Sequence, residues 1–95
     1  MKATMVILAL LVLSVAARAA EQPVPLKDAP GRDMVENTCS ICHSLDYIRI
    51  NAPFMTPQVW EAEVNKMINA FGAPASPEDA RAIIDYLVKN YGKPS

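Results

Sequence analysis

Apolar residues recur at helical spacing in two long stretches of the second half of the chain. Over residues 57–71 they fall at Val59/Trp60, Val64, Met67/Ile68 and Phe71, a 3.6-residue period. Thr56-Pro57 just before them is a helix start, a hydroxyl cap with proline at the first helical position. Gly72, with Pro74 beyond it, is the matching stop. Ser76-Pro77-Glu78-Asp79 repeats the starting device and adds two carboxylates where the helix dipole favours them. The helix it opens carries Ala80, Ile83, Ile84, Leu87, Val88 and Tyr91 on one face and closes at Lys89 and Gly92-Lys93-Pro94. A shorter pattern, Met34, Val35 and Thr38, follows Asp28-Ala29-Pro30-Gly31 and predicts a helix over 31–39 with Asp28 as its cap. From Ser44 to Met55 there is no stripe, and Asn51 and Pro53 mark a loop. With no strand alternation, repeat or low-complexity tract, the pattern predicts an all-α chain of about three helices and one long loop.

The first apolar block has no such period. It runs from Met5 to Ala17, follows Lys2 and ends in Ala16-Ala17-Arg18-Ala19-Ala20. A basic start, a short apolar run and small residues at the end are the parts of an export signal. The block is shorter than the roughly 20 residues that span a bilayer, so a cleaved signal over 1–20 is expected rather than a stable membrane anchor, with cleavage after Ala19 or Ala20. Residues 21–30 contain Pro23, Pro25 and Pro30 and little periodicity. They read as an extended arm, either a tether or a strap across a partner, leaving 31–95 as the single folded domain.

Composition sharpens this picture. The chain has 95 residues, 9 basic and 10 acidic, and 52% are hydrophobic. Two of the basic residues, Lys2 and Arg18, lie in the export signal, so the remainder carries seven against ten acidic residues. That balance speaks against nucleic acid, whose binders present a basic face, and against general attachment to anionic lipid. A domain of this size has a thin core and needs a staple, such as a disulfide, a metal or a cofactor.

The candidate staple is Cys39-Ser40-Ile41-Cys42-His43, the C-x-x-C-H pattern of c-type haem attachment. Two thiols three residues apart on a tight turn reach the two vinyl groups of one porphyrin and form thioethers. The adjacent imidazole is then held under the iron. Other readings fit less well. A Cys39–Cys42 disulfide suits an exported protein but closes too small a loop to stabilise much. A thioredoxin-like site needs a strand-helix setting. Structural zinc needs four ligands, and the three within this run of five residues are all the Cys and His in the chain. One covalent haem c is therefore the expected cofactor, with folding and attachment coupled.

His43 is the sole histidine, so bis-histidine ligation within the chain is excluded. Methionine is the next candidate, and Met/His ligation raises the potential, as in electron carriers. Met34 lies too close before the motif, on the helix that bears Cys39. Met55 ends the loop. Met67 shares the apolar stripe with Trp60, Val64 and Phe71 and is expected to point to the cofactor, although methionine on a stripe is commonly plain packing. Met67 is the expected sixth ligand, with Met55, an open site or a lysine as the alternatives. The carbonyl of Ala52 or Pro53 is the expected acceptor for the second ring nitrogen of His43. Arg49, with its planar fork, is the expected propionate partner, and Tyr47 and Trp60 can add neutral hydrogen bonds there.

These residues resemble a family. Cys39-Ser-Ile-Cys-His43-Ser-Leu-Asp-Tyr47-Ile, Ala52-Pro53-Phe54, Trp60-Glu-Ala-Glu-Val64-Asn-Lys66-Met67 and Phe71-Gly72-Ala73-Pro74 are similar to the small cytochrome c subunit of bacterial sulfite dehydrogenase. The resemblance runs over about residues 31–92. The haem motif is shared by all c-type cytochromes; the segment from Trp60 to Pro74 is more specific, though it also occurs in haem domains joined to other periplasmic oxidoreductases. The resemblance implies a class I cytochrome c fold with the axial methionine in the Lys66-Met67 segment. It also implies a periplasmic location, a partner subunit holding a molybdenum cofactor that oxidises sulfite, and a soluble cytochrome c as electron acceptor. Pro74-Ala75 departs from the bulkier apolar residue that often follows that proline.

Nothing in the chain forms a catalytic group of its own. The only histidine is committed to the motif, and no glycine-rich phosphate loop is present. The expected role is single-electron transfer, as a haem subunit or, alternatively, as a free diffusible cytochrome c. A sensory haem protein with an open iron site is the third possibility. The proline-rich arm and the apolar Ile48, Ile50, Pro53 and Phe54 favour the subunit.

Overall fold

Among the described residues, four helices and one 3₁₀ turn make up the computed structural model: α1 (Arg32–Cys39), α2 (Asp46–Asn51), the 3₁₀ turn Ala52–Phe54, α3 (Pro57–Asn69) and α4 (Pro77–Tyr91). The structure describes residues 24–94. The export signal expected over 1–20, the first residues of the arm and the last residue of the domain lie outside them. No strand occurs among the described residues. None of their helices is long and apolar enough to cross a membrane.

The two long helices begin as their local sequence dictates. Thr56 Oγ1 accepts from the Val59 N–H at 3.3 Å, with Pro57 inside the first turn. Ser76 and Asp79 form a reciprocal capping box at the start of α4, which satisfies two amide donors that the helix itself cannot. At the other end of α3, Gly72 takes a left-handed conformation, φ 74°. The reversal lets the Gly72 and Ala73 amides donate to the carbonyls of Ile68 and Met67, at 3.2 and 2.9 Å.

The closest helix pairings are α1 with α4 and α3 with α4. Their shared core holds Val35, Trp60, Val64, Ile83, Tyr86, Leu87 and Tyr91, joined by Leu26, Ile48 and Met55. Full burial of each aliphatic side chain contributes about 1.5–3 kcal/mol. Trp60 sits at its centre and donates from Nε1 to the Tyr91 carbonyl at 3.0 Å, so the indole is satisfied where water cannot reach it. Gly31, φ 96°, precedes α1 where a Cβ would come within 3.1 Å of Tyr86 Cβ. The glycine permits both the turn and the close approach of α1 to α4. It takes the capping position expected of Asp28, which instead lies 3.7 Å from Arg32 as an exposed ion pair.

Two expectations are corrected. Residues 44–55 are not a loop throughout, since they hold α2 and the 3₁₀ turn. Ser44 Oγ accepts from the Asp46 N–H at 3.2 Å, Asp46 pairs with Arg49, and Asn51 Nδ2 donates to the Tyr47 carbonyl at 2.8 Å. Side chains hold this helix, which buries only Ile48, so it writes no stripe into the sequence. The arm has neither helix nor strand over 24–28, and this described stretch is fastened to the domain. Leu26 is buried in the core, the Lys27 amide donates to Tyr91 Oη at 2.9 Å, and Tyr86 Oη donates to the Lys27 carbonyl at 2.6 Å. Lys27 Nζ reaches the Asn90 carbonyl and lies over the Tyr91 ring.

Candidate functional site

The last turn of α1 delivers Cys39 half-buried against the core. The chain then turns through Ser40 and Ile41 to bring Cys42 and His43 to the surface. Both thiols are free. Burial, and then the neighbouring Cys42, pushes the Cys39 thiol above its ordinary value, so Cys39 stays protonated until a reaction takes the proton. His43 Nδ1 lies 3.1 Å from the Ser44 carbonyl. In the tautomer that makes this bond the proton is on Nδ1, and Nε2 presents its lone pair to solvent. The acceptor is thus the next residue in the chain and not the expected Ala52 or Pro53.

The His43 ring lies 5.1 Å from the Tyr47 ring, tilted by 44°. Tyr47 Oη donates to Glu63 Oε1 at 3.1 Å, and Lys66 Nζ contacts Glu63 Oε2 at 3.0 Å. This relay leads from the Cys-x-x-Cys-His turn to α3. On α3 the residues Val59, Glu63 and Met67 stand four apart in one row, with Phe71 following beyond the helix end. The neighbouring row, Trp60, Val64 and Ile68, packs on the core.

Met67, seven residues after Trp60 and three after Val64, stands at the edge of their face. It is half-buried and, unlike Ile68, is not packed on the core cluster; it follows Glu63, which Tyr47 reaches, by one turn. The other methionines among the described residues are committed. Met55 is 6% exposed within the core and its carbonyl accepts from the Lys93 amide. Met34 packs on the core and its Sδ accepts from Thr38 Oγ1 at 3.7 Å.

Large apolar side chains on the elements that carry this relay are exposed. Ile41, Ile50, Phe54 and Phe71 are all more than 60% exposed, and Val59 and Tyr47 are exposed as well. The closest packing of α2 is with the 3₁₀ turn that follows it, and Tyr47 and Ile50 of the helix and Phe54 of the turn stand uncovered. Single exposed apolar residues need no account, but a group of this size on a small domain marks a binding surface.

Arg49 Nη2 is paired with Asp46, while its Nε is buried without a partner. The remaining expected donor is lost to the site. Trp60 Nε1 is engaged with Tyr91 in the core, so Trp60 clamps α3 to α4 instead of reaching a ligand. Among the described residues no three His, Cys, Asp or Glu side chains converge to hold a bare metal ion.

The donor set fits a haem. Two thiols and an imidazole lie on one turn, a methionine stands off the core, an unpaired cationic donor is available, and apolar side chains remain to be covered. Comparison with known protein families and with characterised proteins found no match to this chain.

Proposed function

We propose that the chain is a small c-type cytochrome that moves single electrons. Cys39 and Cys42 hold one haem through thioether bonds, His43 ligates through Nε2, and Met67 is the sixth ligand. Bound there, haem supplies a one-electron iron couple, which a thioether ligand poises toward the reduced state. The observation that carries the reading is the turn Cys39–His43, in which the Ser44 carbonyl fixes the imidazole tautomer and leaves Nε2 available. The chain's own contributions are orientation and shielding. Ser44 orients His43, the exposed Ile41, Val59 and Phe71 shield the cofactor from water, and Arg49 Nε is the proposed partner of a propionate.

The finer part of the proposal is a class I cytochrome c fold acting as the haem subunit of a periplasmic sulfite dehydrogenase. In that role it takes electrons from a molybdenum-containing catalytic subunit and passes them to a soluble cytochrome c. The uncovered Ile50 and Phe54 favour a lasting partner, since a stable interface needs an apolar centre. One observation favours a freely diffusing shuttle instead. The arm is spent on α4, with Leu26 buried, and this stretch of it is not available to strap a partner.

The test is the visible spectrum of the purified exported protein, reduced, with and without carbon monoxide. The proposal expects a c-type spectrum that carbon monoxide leaves unchanged. An absence of haem absorbance overturns it, and a carbon monoxide shift overturns the Met67 assignment in favour of an open site. Co-elution with a molybdenum subunit, with sulfite-dependent reduction of the haem, separates subunit from shuttle.

A further inference from the structure

We infer that Tyr47 is a positioning residue. It ties the helix that follows His43 to the helix that carries Met67, and so sets how firmly Met67 is held as a ligand. The inference rests on the cytochrome reading above.

Tyr47 makes two contacts in opposite directions. Its ring lies against the His43 ring, 5.1 Å between centroids. Its hydroxyl crosses 16 residues of sequence to donate to Glu63 Oε1 at 3.1 Å. Glu63 stands one helical turn before Met67 in the same row of α3. Its carboxylate is a firm anchor. The side chain is only 19% exposed, and its second oxygen is held by Lys66 at 3.0 Å. A hydrogen bond to a sheltered carboxylate is stronger than one between neutral groups.

The other end of the tie is also stiff, because α2 is braced by the Asp46–Arg49 pair and by Asn51 Nδ2 on the Tyr47 carbonyl. The closest helix pairings run through α4 and leave α2 aside. The Tyr47–Glu63 bond is therefore a direct tie between α2, which follows His43, and the row of α3 that holds Glu63 and Met67. A thioether is a neutral, weakly held ligand, so its retention depends on how well the protein keeps its helix in place. Tyr47 was expected to serve a propionate; its hydroxyl is committed to Glu63 instead.

The experiment uses the full haem-loaded protein in its ferric form. It measures the affinity for added imidazole, which competes with Met67, and the near-infrared sulfur-to-iron band. Tyr47→Phe and Glu63→Ala are each expected to raise imidazole affinity about tenfold, the loss of one hydrogen bond to a charged group, with covalent haem content unchanged. Glu63→Gln keeps an acceptor but not its charge, and is expected to fall between wild type and Glu63→Ala. Where Tyr47→Phe fails to mature, Glu63→Ala reads the same tie from its other end. Wild-type imidazole affinity in Glu63→Ala overturns the inference. So does an equal rise in Trp60→Phe, which loosens the core without touching the tie. A wild-type protein without covalent haem would instead sink the cytochrome reading beneath it, so the two failures are distinct.

Discussion

The Trp60 indole donates to the Tyr91 carbonyl across 3.0 Å in the core, and this bond joins α3 to the end of α4. It makes Trp60 a clamp of the fold. We expect Trp60→Phe to cost about 1–3 kcal/mol, because the carbonyl is left buried and unpaired. Thermal unfolding of the haem-loaded protein checks it, and the haem spectrum should be unchanged.

Tyr86 fastens the arm to α4, donating to the Lys27 carbonyl at 2.6 Å. Burial, and then the neighbouring Tyr91, pushes its pKa from 10.0 up to about 12. A raised value means that the unfolded chain releases this proton first. The stabilising contribution is therefore complete below pH 10 and is lost as pH rises toward 12. Tyr86→Phe should lower stability at neutral pH and flatten the decline between those values, as measured by denaturant unfolding across the alkaline range.

The methionines separate by location. Met67→Leu should abolish the sulfur-to-iron band and lower the midpoint potential. Met55→Leu, a near-isosteric change in the core, should leave both intact and cost less than about 1.5 kcal/mol. The reverse pattern would reassign the ligand to Met55.

Arg49 keeps a buried Nε with no partner while its Nη2 pairs with Asp46. Arg49→Gln should lower the potential by removing positive charge from beside a propionate. Stability should fall by no more than about 1 kcal/mol, since a half-exposed ion pair contributes little. An unchanged potential would return Arg49 to a purely helical role.

Much of this was legible in the sequence where the cause is local. Thr56-Pro57 and Ser76-Pro77 start their helices through side chains one turn away, so the starts of α3 and α4 could be read directly. The Cys39–His43 motif was equally plain, being five consecutive residues. Helix α2 was not legible, because its six residues bury Ile48 alone and rely on polar braces. The docking of the arm was hidden for a different reason. It depends on hydroxyls of Tyr86 and Tyr91 that lie 59 and 64 residues from Lys27, and no local pattern encodes such a contact. For Met67 the period was right but too coarse. Positions 67 and 68 both fit the stripe, and only packing showed that Ile68 lies against the core cluster while Met67 stays half-buried at its edge.

The central claim is a covalent haem on Cys39 and Cys42. Its most direct test is the mass of the exported protein after denaturation, for wild type and for Cys42→Ala. The account predicts a wild-type mass above that of the polypeptide by one haem, and a Cys42→Ala protein impaired in maturation. A denatured mass equal to the bare chain, or to the chain less the two hydrogens of a Cys39–Cys42 disulfide, would contradict it.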